Sequence, residues 1–166
     1  MSKKQITPLL LTLVFLFFGG CAVSETGNSL YAFTERMNKI SESYSLTQDG
    51  YIYDAENKTF TKFYKFGKNE IMLQFTCDEN NDIYRLDAVF PTDSVNNPQE
   101  YRFIKDCISA YINDPEKENS LLKQVDFDNT LKQIRNETKK AKSGNTEILI
   151  DVTASGTVIT VIQNNL

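Results

Sequence analysis

Histidine is absent from the 166 residues, so the commonest neutral general base and the commonest neutral metal ligand are both missing. Any chemistry must come from carboxylates, hydroxyls, amines or the three cysteines, Cys21, Cys77 and Cys107. The carboxylates are abundant but scattered along the chain. Their densest run, Asp78-Glu79-Asn80-Asn81-Asp82, matches the opening of a calcium loop, in which oxygen side chains at alternate positions converge on a hard cation. The continuation departs from that design. Ile83 stands where the sixth position needs glycine and Val89 where the twelfth needs glutamate, so the run reads as a polar turn. Nucleophile elbows, phosphate-cradling glycine loops, zinc signatures and a Ser-x-x-Lys pair are not expected after Cys21. No catalytic residue, metal or cofactor is expected.

Cys21 is set apart by what precedes it. Lys3 and Lys4 open the chain, Leu9 to Phe18 is apolar apart from Thr12, and Gly19-Gly20 supply small residues before a cleavage point, the three parts of a secretory signal. The apolar run is too short to span a bilayer, which needs ~20 residues. Ser24-Glu25-Thr26-Gly27-Asn28 then ends it. Phe18-Gly19-Gly20-Cys21 resembles the lipobox of bacterial lipoproteins, with Phe18 standing where that family usually has Leu or another aliphatic residue. The resemblance implies a signal peptide over residues 1–20, cut off by a dedicated peptidase. It also implies a diacylglyceryl group on the Cys21 thiol, holding the protein at the cell membrane or outer membrane and facing outside the cytoplasm. Each buried methylene contributes ~0.8 kcal/mol, so two or three chains make a durable anchor. Residues 21–27 become a lipidated tether. At ~3.3–3.6 Å per residue, Ala22 to Gly27 reaches at most ~20 Å and keeps the following domain near the bilayer.

Residues 28–166 suit one domain able to bury a core of its own. The whole chain is formally −4, and removing Lys3 and Lys4 leaves −6, a balance that argues against nucleic-acid binding. Cys77 and Cys107 are an even pair in an exported protein, open to two readings: a disulfide pinning helix to sheet, or two buried thiols packed as small apolar residues.

The spacing of Leu30, Phe33, Met37, Ile40 and Tyr44 predicts a first helix, capped by Asn28 or Ser29. From Gly50 the period changes to two. Tyr51–Tyr53, Thr59–Phe66, Glu70–Cys77 and Asp82–Phe90 read as an antiparallel meander with short turns between them. Asn97-Pro98-Gln99-Glu100 carries a cap, a proline at the first helical position and a glutamate at the third. It predicts a helix from Pro98 to about Asn113. Asp114-Pro115-Glu116 repeats the signal, and a third helix is expected from Asp128 to Gly144 with Leu131, Ile134 and Ala141 in register. A hairpin over Thr146–Thr153 and Thr157–Gln163 closes the chain. The order α-ββββ-ααα-ββ gives an α+β class, an antiparallel sheet of about six strands with helices mainly on one face. In topology it resembles cystatin-like and β-lactamase-inhibitor-protein-like arrangements.

Two surfaces stand out as candidates for binding. Thr59 to Lys68 interleaves aromatic and basic residues, and Phe60, Lys62, Phe63, Tyr64 and Lys65 are its candidate binding surface, with Phe63 expected on the face opposite Phe60, Tyr64 and Phe66. Lys132, Arg135, Lys139 and Lys142 would form a basic stripe along the third helix, facing anionic headgroups or wall polymers. The expectation is a non-catalytic binding domain recognising an envelope protein or polymer through the aromatic side of its sheet. The alternative is a carboxylate-dependent enzyme acting on envelope carbohydrate, for which two acids should face each other across a concave pocket.

Overall fold

The computed structural model describes residues 28–132 and 136–164. Cys21, with the whole expected signal and tether, and Arg135 lie outside the described residues. The elements are α1 (Leu30–Ile40), β1 (Ile52–Asp54), β2 (Thr59–Phe66), β3 (Asn69–Cys77), β4 (Ile83–Phe90), a 3-10 turn (Thr92–Asn96), α2 (Pro98–Ile112), α3 (Pro115–Gln124), α4 (Phe127–Lys132), β5 (Glu137–Ser143), β6 (Thr146–Val152) and β7 (Thr157–Gln163).

Helix starts follow the capping chemistry. Ser29 accepts a hydrogen bond from the Ala32 N–H at 3.1 Å and opens α1. Asn97 and Asp114 do the same for α2 and α3, each with proline next. Glu100 is 1% exposed because it takes hydrogen bonds from the side chains of Asn97 (2.6 Å) and Asn69 (2.9 Å), tying the α2 cap to the start of β3. α1 stops at Ile40, earlier than its spacing suggests. Asn38 brackets the Leu46 backbone, donating to its carbonyl at 2.9 Å and accepting from its N–H at 2.7 Å, which turns the chain back and leaves Tyr44 in a loop, packed edge-on against Phe103.

All seven strands form one antiparallel sheet in the order β1-β2-β3-β4-β7-β6-β5. The four-strand meander β1–β4 and the three-strand meander β5–β7 meet where β4 pairs with β7, making β4 the middle strand. Ile71, Leu73, Phe75, Leu86, Ala88, Ile159, Val161, Ile148 and Ile150 share one face by register, and all are buried in the core cluster that also holds Phe33, Met37, Phe103, Ile104, Ile108, Leu121 and Leu131 of the helices.

The third predicted helix is corrected. α4 ends at Lys132, and the segment expected to continue it is strand β5, paired with β6 from Glu137↔Val152 to Ser143↔Thr146. Lysine and alanine favour helix locally, but seven residues of ladder along β6, with Ala141 buried opposite Ile148, outweigh that preference. The lysines fit this edge position, where charge blocks addition of another strand.

Candidate functional site

The aromatic strand β2 is divided by its own pleat. Registers Phe60↔Phe75, Lys62↔Leu73 and Tyr64↔Ile71 place Phe60, Lys62, Tyr64 and Phe66 on the helix-covered face, and Phe63 and Lys65 on the other. The five-residue binding surface expected from sequence is therefore not one surface. Tyr64 and Phe66 pack on Phe103 with ring centroids 4.9 and 5.1 Å away. Lys62 is a structural cation: its ammonium lies 4.8 Å from the Tyr51 ring centroid and 5.5 Å from that of Tyr64, and donates to the carbonyls of Thr47 (2.9 Å) and Asp49 (2.7 Å). It fastens the loop after α1 over the sheet. Burial lowers its pKa, with nearby Asp49 acting in the opposite sense.

Phe63 points the other way and is 46% exposed. The register carries its row across the sheet as Phe63, Met72, Val89 and Val158, four apolar side chains on four adjacent strands. The next row runs Ile52, Thr61, Gln74, Asp87, Thr160, Leu149 and Lys140, and the third Asp54, Thr59, Thr76, Arg85, Ile162, Glu147 and Lys142. Ile52, at 63% exposed, stands diagonal to Phe63 across β1 and β2, whereas Tyr53, paired with Phe60 and with its ring centroid 4.6 Å from that ring, points to the helix-covered face. Two of the five exposed large hydrophobic residues among the described residues thus meet on the open face at this corner.

Near the middle of the face, Arg85 grips Asp87 with two parallel hydrogen bonds, Nε to Oδ2 at 2.7 Å and Nη2 to Oδ1 at 2.9 Å. Thr160 adds a third to Oδ1 at 2.5 Å, so Asp87 is 6% exposed and satisfied. The carboxylate raises the Arg85 pKa, chiefly through these hydrogen bonds. The guanidinium, half-exposed, is held in one orientation on the face.

Acids elsewhere are occupied locally. Asp126 and Asp128 line a depression of about 270 Å³ beside Lys105 and Lys123, but both Asp126 oxygens accept from Asn129 and Asp128 accepts from the Tyr101 hydroxyl. In the 78–82 turn, one oxygen of Asp78 accepts the backbone N–H groups of Asn80 (2.8 Å) and Asp82 (3.0 Å), which is turn chemistry. Among the described residues no group of metal-ligating side chains converges. Ser120 and Lys123 on α3 have Ser-x-x-Lys spacing, which sequence reading missed. Both are exposed, and the Ser120 hydroxyl accepts from Gln124.

Cys77 and Cys107 are both buried in the core with no disulfide between them. Burial, and secondarily Asp106, pushes the Cys107 thiol well up, away from thiolate reactivity.

The basic stripe does not form. Lys132 ends α4 at one end of the sheet, while Lys139 and Lys142 lie on opposite faces of β5, Lys139 on that of Ala141. A different charge pattern sits where the chain enters the fold. The Asn28 carbonyl accepts from the Ile83 N–H at the start of β4, and its side chain donates to Gln163 at the end of β7. Asn28 therefore stands at the sheet end that carries the 55–58 and 78–82 turns. Asp54, Glu56, Asp78, Glu79, Asp82 and Lys58 stand there, and so do Arg36, which donates to the Asn28 side chain at 2.6 Å, and Lys117, which donates to that of Asn145 at 3.4 Å.

Among the described residues, no helix is long and apolar enough to cross a membrane. No protein-family model, curated protein or solved structure matches the chain.

Proposed function

We propose that the chain is a lipid-anchored, non-catalytic recognition domain facing outside the cytoplasm, which engages a protein through the open face of its sheet. The carrying observation is the pairing of exposed Ile52 and Phe63 at one corner of the face opposite the helices, continued there by Met72, Val89 and Val158. Protein interfaces draw most of their affinity from a few aromatic, aliphatic and arginine anchors. Arg85, held in place by Asp87, is such a pre-ordered arginine on the same face, two rows from the apolar one. The anchor is carried by the lipobox-like Phe18-Gly19-Gly20-Cys21.

Affinity capture from envelope extract, comparing the natural chain with Arg85→Ala and Ile52→Asp, tests the reading. Both variants should lose the captured protein while keeping the natural far-UV spectrum. Equal recovery of one and the same protein by all three would overturn it.

A further inference from the structure

We propose that the cavity between the loop after α1 and the start of α2 binds a small ring that carries a carboxylate. This site is separate from the open face and does not depend on that reading.

The cavity measures about 350 Å³ and is lined by Ser43, Tyr44, Phe66, Gln99 and Arg102. That volume lies near the lower end of the ~300–1,000 Å³ usual for small-molecule sites, so it suits one ring better than a chain of them. It sits on the helix-covered side at the Phe66 end of β2, opposite the sheet end where Asn28 stands.

Two of the lining side chains are aromatic, and both are held in place. Phe66 and Tyr44 rest on the buried ring of Phe103, with centroids 5.1 and 5.4 Å from it. The Tyr44 hydroxyl is fixed as well, donating to Oδ2 of Asp106 at 2.6 Å. Rings that are already positioned offer apolar surface to a ligand with little ordering cost on binding.

The polar part of the lining is cationic. Arg102 Nε stands 3.6 Å from the same Asp106 oxygen, one helical turn on. The mostly buried Asp106 thus orients the guanidinium, while the Arg102 side chain stays 68% exposed and donates no hydrogen bond among the described residues. The side-chain amide of Gln99 is also unpaired among them. A planar guanidinium takes a carboxylate through two parallel hydrogen bonds, and the free amide supplies a further donor. Fixed rings beside one oriented cation with open donors match a compact organic anion whose other part is an apolar ring face. An acidic sugar and an aromatic acid share that chemistry.

The experiment is saturation-transfer-difference NMR on the full-length chain in non-ionic detergent. The probes are benzoate and D-glucuronate, each set against an uncharged counterpart, benzyl alcohol and D-glucose. At least one acid should bind with a dissociation constant on the order of 1 mM, as expected of so small a ligand, and its counterpart ~10-fold more weakly. Arg102→Ala should weaken the acid by ~10-fold or more, while Ile52→Asp, on the open face, should leave it unchanged. Benzoate binding alone identifies an aromatic acid, glucuronate alone an acidic sugar, and both together the shared chemistry. Absence of binding by either acid, equal binding of an acid and its counterpart, unchanged binding in Arg102→Ala or lost binding in Ile52→Asp overturns the site. The comparison of acid with counterpart uses the natural chain, so it decides the matter even if Arg102→Ala fails to fold.

Discussion

Replacing Phe63 by alanine separates a recognition strand from a structural one. The ring is 46% exposed, so about half of the ~1.5–3 kcal/mol available from burying a phenylalanine is realised in the fold. Its truncation opens onto solvent and encloses no cavity. The expected cost is ~1 kcal/mol, a fall in melting temperature of about 2–4 °C for a domain near this size. Phe75, two strands' width from β1 and on the other face, is the internal reference. It is fully buried, with the Phe33 and Tyr51 ring centroids 4.8 and 6.0 Å away, so Phe75→Ala should cost ~3–5 kcal/mol. Urea unfolding of both variants, with unchanged slopes, gives the comparison. Capture of the partner by Phe63→Ala should fall by the equivalent of ~2 kcal/mol or more. If Phe63→Ala is as destabilising as Phe75→Ala, the residue is core and the surface reading of β2 is wrong.

Cys21→Ser should leave the precursor unprocessed or the protein released, because the thiol is the sole attachment point the lipobox offers; membrane fractionation checks it, and unchanged extractable mature protein with no lipid would refute the anchor. Cys77 and Cys107 should both resist alkylation in the native protein and both react after denaturation without reductant, whereas a mass two hydrogens lighter with no alkylation would mean a bridge. Lys62→Met should cost ~1 kcal/mol through two lost hydrogen bonds and two cation–ring contacts, and should speed hydrogen exchange around Thr47–Asp49; unaltered exchange there would show that the lysine fastens nothing. Burial pushes the Tyr51 hydroxyl up from 10.0 to about 12, with Tyr64 hydrogen bonding acting the other way. A raised folded pKa contributes stability present below the unfolded value and lost above it, so stability should fall as pH climbs from 10.0 to about 12. The part of the tyrosinate absorbance that Tyr51→Phe removes should then appear together with unfolding; its smooth appearance near 10.0 in an intact fold would contradict the burial.

Much of the fold was readable because it is written locally. Asn97-Pro98 and Asp114-Pro115 open helices where capping chemistry says they should, and the alternation of Ile71, Leu73 and Phe75 marks a half-covered strand. The outward placement of Phe63 followed from parity alone. Segment 137–143 was misread because Ala141 is its sole buried residue, which leaves no alternation to detect, and its pairing with β6 is a tertiary fact. Lys62 was misassigned for a related reason. Charge suggests solvent, but its long stem lets the ammonium reach carbonyls at the edge while the residue sits on the covered face. The open-face rows were invisible for another cause: no sequence signal says that β7 lies beside β4, and without that seam Val158 cannot be placed next to Val89.

That seam also sets how the molecule must fold. Every other strand pair joins sequence neighbours, which can zip locally within microseconds, but Arg85 must find Ile162 across almost half the chain. Each meander would form early and wait with the edge that the seam later covers still bare, β4 on the first and β7 on the second. The waiting β7, Thr-Val-Ile-Thr-Val-Ile-Gln, has no charge and strong β-propensity, the composition that recruits foreign strands. Substitutions along the seam, at Asp87 or Thr160, should therefore lower yield through aggregation more steeply than their equilibrium cost suggests. The lysine-guarded β5 edge, by contrast, is the one that the finished fold leaves exposed on that side.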